Sequence, residues 1–193
     1  MKPGWQCIDV GANFGYFTVL LADLVGLTGH VEAWEPSEEL QRCLAHTLEL
    51  SGMRERVTPM HCAAGHVAGS AFLCRQGNDY ASAVVRGESE DQDAEQVPMH
   101  PLASTRLKSV DFVKLDAEGM EFEAWVGLGD IRPKAALIEW TPSRYESPAA
   151  FMAMLRSQGY TIGRVNSAGD VDGPGDDLLE VKGTEMLWVE RSA

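Results

Sequence analysis

The chain has 193 residues, 45% of them hydrophobic, which is enough to bury a core and about the length of one domain. Its 16 Lys+Arg against 29 Asp+Glu give a formal charge of −13, which repels polyanions and disfavours tight binding to DNA or RNA. There is no run of 18 apolar residues, and the opening "MKPGW" lacks the apolar core of a signal peptide, so no membrane span is expected and the expected location is cytoplasmic.

Trp5 to Val10 reads as a short buried strand. Phe14, Phe17, Leu20, Leu21 and Leu24 then recur at helical spacing, and Gly26 and Gly29 stop the run. His30 to Trp34 is a second strand. Ser37 is an N-cap with Glu38 and Glu39 in the first turn, and Leu40, Cys43, Leu44 and Leu48 form the inner face of a helix that ends at Ser51-Gly52. Arg56 to Cys62 is a third strand. Strand, helix, strand, helix, strand with short connections is the pattern of a parallel sheet covered by helices.

The middle is less regular. Ser70 to Arg75 and Val97 to Leu102 read as short strands, and the acidic Gly87 to Gln96 between them as an exposed loop. Alternation resumes with a strand at Val110 to Leu115, a helix at Glu118 to Val126 with Phe122, Trp125 and Val126 inward, and a strand at Ala135 to Trp140. A helix opens at Ser147-Pro148, with Ser147 as N-cap, carries Phe151, Met154 and Leu155, and ends at Gly159. Tyr160 to Val165 and Glu185 to Glu190 are the last strands, expected as an antiparallel pair at the sheet edge. The intervening Gly169 to Asp177 lacks the residue order of a calcium loop and reads as a solvated hairpin loop.

In a doubly wound sheet, ligands bind beyond the C-terminal strand ends, where the strand order reverses. The turn after the first strand is "DVGANFG", Asp9 to Gly15. Gly11 and Gly15 permit close backbone approach, the following helix offers free N–H groups to an anion, and Glu35, twenty residues past Gly15, is placed for a ribose diol. Two cofactor classes fit. A dinucleotide requires G-x-G-x-x-G, and the middle glycine is missing. Asp9, next to the turn, suits a ligand with a cationic group, such as S-adenosylmethionine (SAM).

"IDVGANFGYFTVLLA", "VEAWEPS", "VDFVKLDAEGMEFEAWVG" and "ALIEW", in that order from Ile8 to Trp140, resemble the FkbM-type family of class I SAM-dependent methyltransferases. The combination of these blocks is far more specific than any one of them. The resemblance implies an α/β, Rossmann-like, doubly wound seven-stranded sheet, mostly parallel with an antiparallel last strand, as one domain over 1–193. It implies methyl transfer, often to a hydroxyl of a sugar, glycan, polyketide or other natural product. Asp9, Gly11, Asn13 and Gly15 match the family's first SAM motif, and Glu35 its ribose-binding acid. Cys62, Ala63 and Ala64 follow the third strand, near the expected adenine. The departure is at the N-terminus. Members carry further segments before the first strand, whereas four residues precede Trp5 here, so the chain is expected to be trimmed or cut from a longer one.

"KLDAEGMEFE", Lys114 to Glu123, crowds four carboxylates and a lysine at a central strand end. Glu121 and Glu123 are expected on a solvated helix face. Asp116, at the strand end beside the expected methyl group, is the candidate base or acceptor-orienting residue, with Glu118 second. Lys114 either neutralises them or points to the opposite face. Asp116, Glu118 and Glu139 could instead hold a divalent cation on a sugar diol; the ligand set is incomplete and no metal is expected.

His30, His46, His61, His66 and His100 show no ligand spacing, although His100 could meet an acceptor, and Tyr80 and Trp140 are candidate aromatic walls for a sugar, with burial favoured for Trp140. Cys7, Cys43, Cys62 and Cys74 form neither C-x-x-C pairs nor metal spacings and read as buried or incidental thiols of a reducing compartment. The rival readings are an NAD-dependent oxidoreductase and a non-catalytic domain that binds SAM or S-adenosylhomocysteine (SAH). The expected partner is a small-molecule or glycan acceptor.

Overall fold

The computed structural model describes residues 1–76, 79–86, 94–173 and 177–191. The chain opens with β1 (Gln6–Val10), α1 (Tyr16–Val25), β2 (His30–Trp34), α2 (Glu38–Ser51) and β3 (Val57–Met60). An inserted set of strands follows: β4 (Ala63–Gly65), β5 (Gly69–Gln76), β6 (Asp79–Arg86) and β7 (Glu95–Pro101). The remainder is β8 (Phe112–Leu115), α3 (Glu121–Val126), β9 (Ala135–Trp140), α4 (Pro148–Ser157), β10 (Tyr160–Val165), β11 (Val171–Asp172) and β12 (Glu185–Arg191).

The main sheet has eight strands in the order β11-β10-β12-β9-β8-β1-β2-β3. The two-residue β11 is an edge addition, and the seven others form the expected sheet. β12 pairs antiparallel with β9 on one side and β10 on the other, so it lies inside the sheet, while β10 itself runs parallel to β9. β4, β7, β5 and β6 form a separate four-stranded sheet. β4 ("AAG") and β6 ("DYASAVVR") are additions to the expected strands. Both are rich in Ala, Gly, Ser or Asp, types that strand propensity disfavours, and their ladders with β7 and β5 override it. Glu95 and Gln96 of the expected acidic loop belong to β7; residues 87–93 of that loop and the side chain of Tyr80 lie outside the described residues.

Strand alternation sends Ile8, Val10, Val113 and Leu115 to the core under α3 and α4, and Cys7, Phe112 and Ala135 to the core under α1 and α2. α2 buries Leu44 and Leu48 as expected, each side chain worth about 1.5–3 kcal/mol, whereas Cys43 is exposed. α1 buries Thr18, Leu21, Ala22 and Val25, leaving Leu20 and Leu24 on its outer side, and Phe14 lies exposed in the turn before it. Ser147 precedes α4 but makes no side-chain capping bond there. α3 begins at Glu121, three residues later than the sequence pattern implies. Glu118 (φ 54°) and Gly119 (φ 109°) are left-handed and cannot continue into a right-handed helix. Trp125 is buried and Phe122 packs against the core as expected, whereas Val126 of α3 is exposed and Ala124 takes an inward place. Among the described residues no helix is long and apolar enough to cross a membrane.

Candidate active site

The main sheet reverses its strand order at β1, whose neighbours are β2 and β8. A cavity of about 290 Å³ opens beyond the C-terminal ends of these strands, at the lower edge of the usual range for small-molecule sites. Its walls come from the turn after β1, the end of β2, the residues after β3 and the loop after β8.

Local bonding explains the turn. The N–H groups of Gly11 and Ala12 donate to the Trp34 carbonyl at 2.9 and 3.1 Å, bending the chain over the end of β2. Gly11 (φ 71°) passes so close to the loop after β8 that a Cβ there would overlap the Asp116 carbonyl. Gly15 (φ 100°) precedes the first residue of α1, and a Cβ there would meet Leu44 Cδ1 of α2 at 2.7 Å. Gly11 therefore shapes the cavity, while Gly15 sets the packing of the turn on α2 and is not in the cavity wall. Glu35 ties both ends of the site together. Its Oε2 accepts from Asn13 N–H and its Oε1 from Ser37 N–H, both at 2.9 Å. Burial pushes its pKa up, against the pull of these two backbone N–H groups. Each carboxylate oxygen has a second lone-pair site, so Glu35 retains acceptor capacity toward the cavity it lines.

Beneath the turn lies a buried charge chain. Asp9 on β1 and Lys114 on β8 are register partners in adjacent parallel strands, and Asp116 follows two residues on, so all three share the face that α1 covers. Lys114 Nζ stands 3.3 Å from Asp9 Oδ1 and 3.2 Å from Asp116 Oδ2 and also donates to the Gly11 carbonyl at 3.3 Å. Thr18 Oγ1 donates to Asp9 Oδ2 at 2.6 Å. Burial alone would lower the Lys114 pKa; Asp9 and Asp116 outweigh it and raise it. The outcome corrects the expectation for Asp9. It is fully buried, neutralised by Lys114 and absent from the cavity wall, because its side chain points at α1 and not along the strand axis. Lys114 and Asp116 both line the cavity, and Asp116, one-third exposed, is the more accessible of the two.

The loop after β8 is held from two sides. Glu121, expected on a solvated face, is fully buried: its carboxylate accepts from the N–H groups of Ala117 (2.7 Å) and Gly119 (3.1 Å). Arg144, in the 3-10 turn Pro142–Arg144, bridges Glu118 at 2.7 Å and Glu139 at 2.9 Å. A guanidinium thus sits between two of the three carboxylates that were candidates for a divalent cation, and among the described residues no group of three His, Cys, Asp or Glu is arranged to hold a metal.

Glu139 has its pKa raised to about 7, by burial first and then by the like charges of Asp116, Glu121 and Glu118, with Arg144 opposing. The folded state therefore keeps this proton up to about pH 7, whereas the unfolded chain releases it near 4.5, and the group's contribution to stability falls as pH rises across that window. Glu139→Gln should remove the effect, so its stability relative to wild type should increase from pH 4.5 to above 7, by about 3 kcal/mol. Urea midpoints at both ends of the window check this, and identical pH profiles for the two proteins would contradict it.

The cavity brings together Gly11, Asn13, Glu35, Ala63, Asp116 and Glu118 from the candidate residues, with Cys62 and Ala64 flanking Ala63. His100 is exposed on β7 and outside the cavity wall, and Trp140 is buried, its indole N–H donating to the Leu178 carbonyl at 2.7 Å. Sequence reasoning missed the rim aromatics Phe14 and Tyr16, which are 52% and 67% exposed, and Leu73 from the second sheet. It also missed Arg144. The signal for Lys114 was available, since alternation places Lys114 and Asp116 on one face.

The model of the methyltransferase FkbM domain matches residues 9–162. The chain belongs to this family. Among solved structures, 98% of the chain superimposes on 44% of an FkbM methyltransferase from Methylobacillus flagellatus, with a TM-score of 0.66 and 16% identity. This FkbM-family chain thus spans under half the length of that relative. It also superimposes over its whole length on 89% of a putative rRNA methylase from Clostridium thermocellum (TM-score 0.61, 12% identity). Over 97% of its length it matches 67% of Aeropyrum pernix fibrillarin, a structure containing natively bound SAM (TM-score 0.54, 13% identity). These likenesses are of fold. A comparison with curated proteins found no match.

Proposed function

We propose that the chain transfers the methyl group of SAM to a hydroxyl oxygen of a sugar, glycan or other natural product. The carrying observation is Asp116: a partly exposed carboxylate in the cavity wall, held at 3.2 Å by a buried lysine that a second buried carboxylate already anchors.

The cavity fits such a cofactor. Gly11 and Asn13 bring backbone close to the ligand, Glu35 keeps lone pairs for ribose hydroxyls, and the small Ala63 and Ala64 leave room for a flat base. SAM supplies a methyl group already activated for transfer. The chain's own part is alignment and proton removal. Asp116 accepts a hydrogen bond from the acceptor hydroxyl, orients its oxygen for in-line attack and takes its proton, the last effect worth about 10²–10⁴ in rate. Orientation supplies up to roughly 7–11 kcal/mol. Phe14 and Tyr16 at the rim present apolar ring faces, and Glu118 adds acceptor oxygens, a combination suited to the C–H face and the hydroxyls of a sugar.

Calorimetric titration with SAH, with NAD alongside, tests the cofactor. Micromolar SAH binding is expected, weakened by Glu35→Ala and absent for NAD; binding of NAD in place of SAH would reject the assignment. Asp116→Asn should keep SAH affinity and lose turnover with any acceptor that wild type methylates.

A further inference from the structure

Arg144 lies outside the cavity wall, yet it holds a segment that forms the wall. Residues 116–120 line the cavity at Asp116, Ala117, Glu118 and Met120. Two consecutive residues of this loop, Glu118 and Gly119, are left-handed, and a glutamate adopts that conformation only where its surroundings impose it. Glu121 secures the loop through the Ala117 and Gly119 N–H groups. Arg144 secures it from the β9 side: Nη1 is 2.7 Å from Glu118 Oε2 and 2.9 Å from Glu139 Oε2. The arginine stem also packs on the loop, since a Cβ at Gly119 would stand 3.4 Å from Arg144 Cβ.

Resting on the methyltransferase reading above, we infer that Arg144 is a positioning residue, which clamps loop 116–120 to the end of β9 and so sets where the Asp116 and Glu118 carboxylates meet the acceptor.

The clamp has an electrostatic signature. One guanidinium serves two carboxylates. Glu139 faces Asp116 and Glu118 from the loop after β8, Glu121 from α3 and Arg144 from its 3-10 turn. Tyr145 OH donates to the Glu139 carbonyl at 2.9 Å, and the β12 partner of Glu139 is the uncharged Met186. Removing Arg144 strips Glu139 of the cation that favours its ionised form. Removing the Glu118 charge does the reverse, because a like charge disappears and the guanidinium is left to Glu139.

The test uses the full chain with SAH as the probe. Hydrogen exchange is expected to be at least about tenfold faster at amides 117–119 in Arg144→Met and to return toward wild type in Arg144→Lys. By carboxylate NMR, Glu139 should titrate higher in Arg144→Met and lower in Glu118→Gln. SAH affinity should remain within about twofold of wild type in Arg144→Met, since the cofactor is held by the turn after β1. Unchanged exchange at 117–119, Glu139 shifts of the same sign in Arg144→Met and Glu118→Gln, or a large loss of SAH affinity would overturn the assignment. If Arg144→Met does not fold, Arg144→Lys with wild-type exchange and Glu118→Gln with a lowered Glu139 titration support the clamp, and their opposites reject it. Failure of wild type to bind SAH would remove the cofactor reading and leave the exchange and titration results to decide the clamp.

Discussion

Lys114→Met is expected to destabilise the protein by about 3–5 kcal/mol, the cost of leaving one partner of a buried ion pair behind. Asp9 is fully buried, and without Lys114 its remaining hydrogen-bond partner is the Thr18 hydroxyl. Methionine conserves the side-chain volume, so the loss reports charge and not a cavity. Adding Asp9→Asn in the same chain should recover part of the stability, because the uncompensated carboxylate is gone. Denaturant unfolding of the two single variants and the double variant measures the coupling. A Lys114→Met protein within 1 kcal/mol of wild type would mean that the chain Asp9–Lys114–Asp116 does not anchor the site.

Gly11→Ala should weaken SAH binding at least about 100-fold, equivalent to about 2.7 kcal/mol. Two costs add. Alanine at φ 71° is strained, and its Cβ must displace the Asp116 carbonyl, moving the cavity wall on the acceptor side. Gly52→Ala separates them. Gly52 has a similar φ of 69° but open space around it, so this substitution should cost roughly 1 kcal/mol of stability and leave SAH affinity intact. If Gly11→Ala bound SAH as wild type does, the close approach of the two loops would have no part in shaping the cavity.

These residues show how far the sequence alone reaches. The alternation of strand and helical periods was readable because each period is carried by many residues, and it located the cavity at the turn after β1. Gly11 was recognisable as a site residue, but its reason was not: the atom it must avoid lies on Asp116, more than a hundred residues away. Asp9 illustrates the opposite error. A carboxylate beside a glycine turn looks like a ligand contact, and only the β1–β8 register reveals that a lysine already answers it. Glu121 was misjudged for a related reason. An acidic residue in a first helical turn is usually solvated, and its burial here depends on a left-handed pair of residues just before it. Arg144 gave no local signal, because its role exists only once the ends of β8 and β9 are side by side.

The place of β12 inside the main sheet governs the order of assembly during translation. β9 has β8 on one side and β12 on the other, and β10 reaches the sheet through β12. As the nascent chain emerges, β1, β2, β3, β8 and β9 can pair in sequence, but the outer edge of β9 stays open until residues 185–191 leave the ribosome. For that interval the half-built sheet presents unpaired N–H and C=O groups along a strand that is apolar but for Glu139, an invitation to pairing with other chains. β12 thus seals the sheet, and the vulnerable period in its synthesis is the time taken to translate from Trp140 to Arg191.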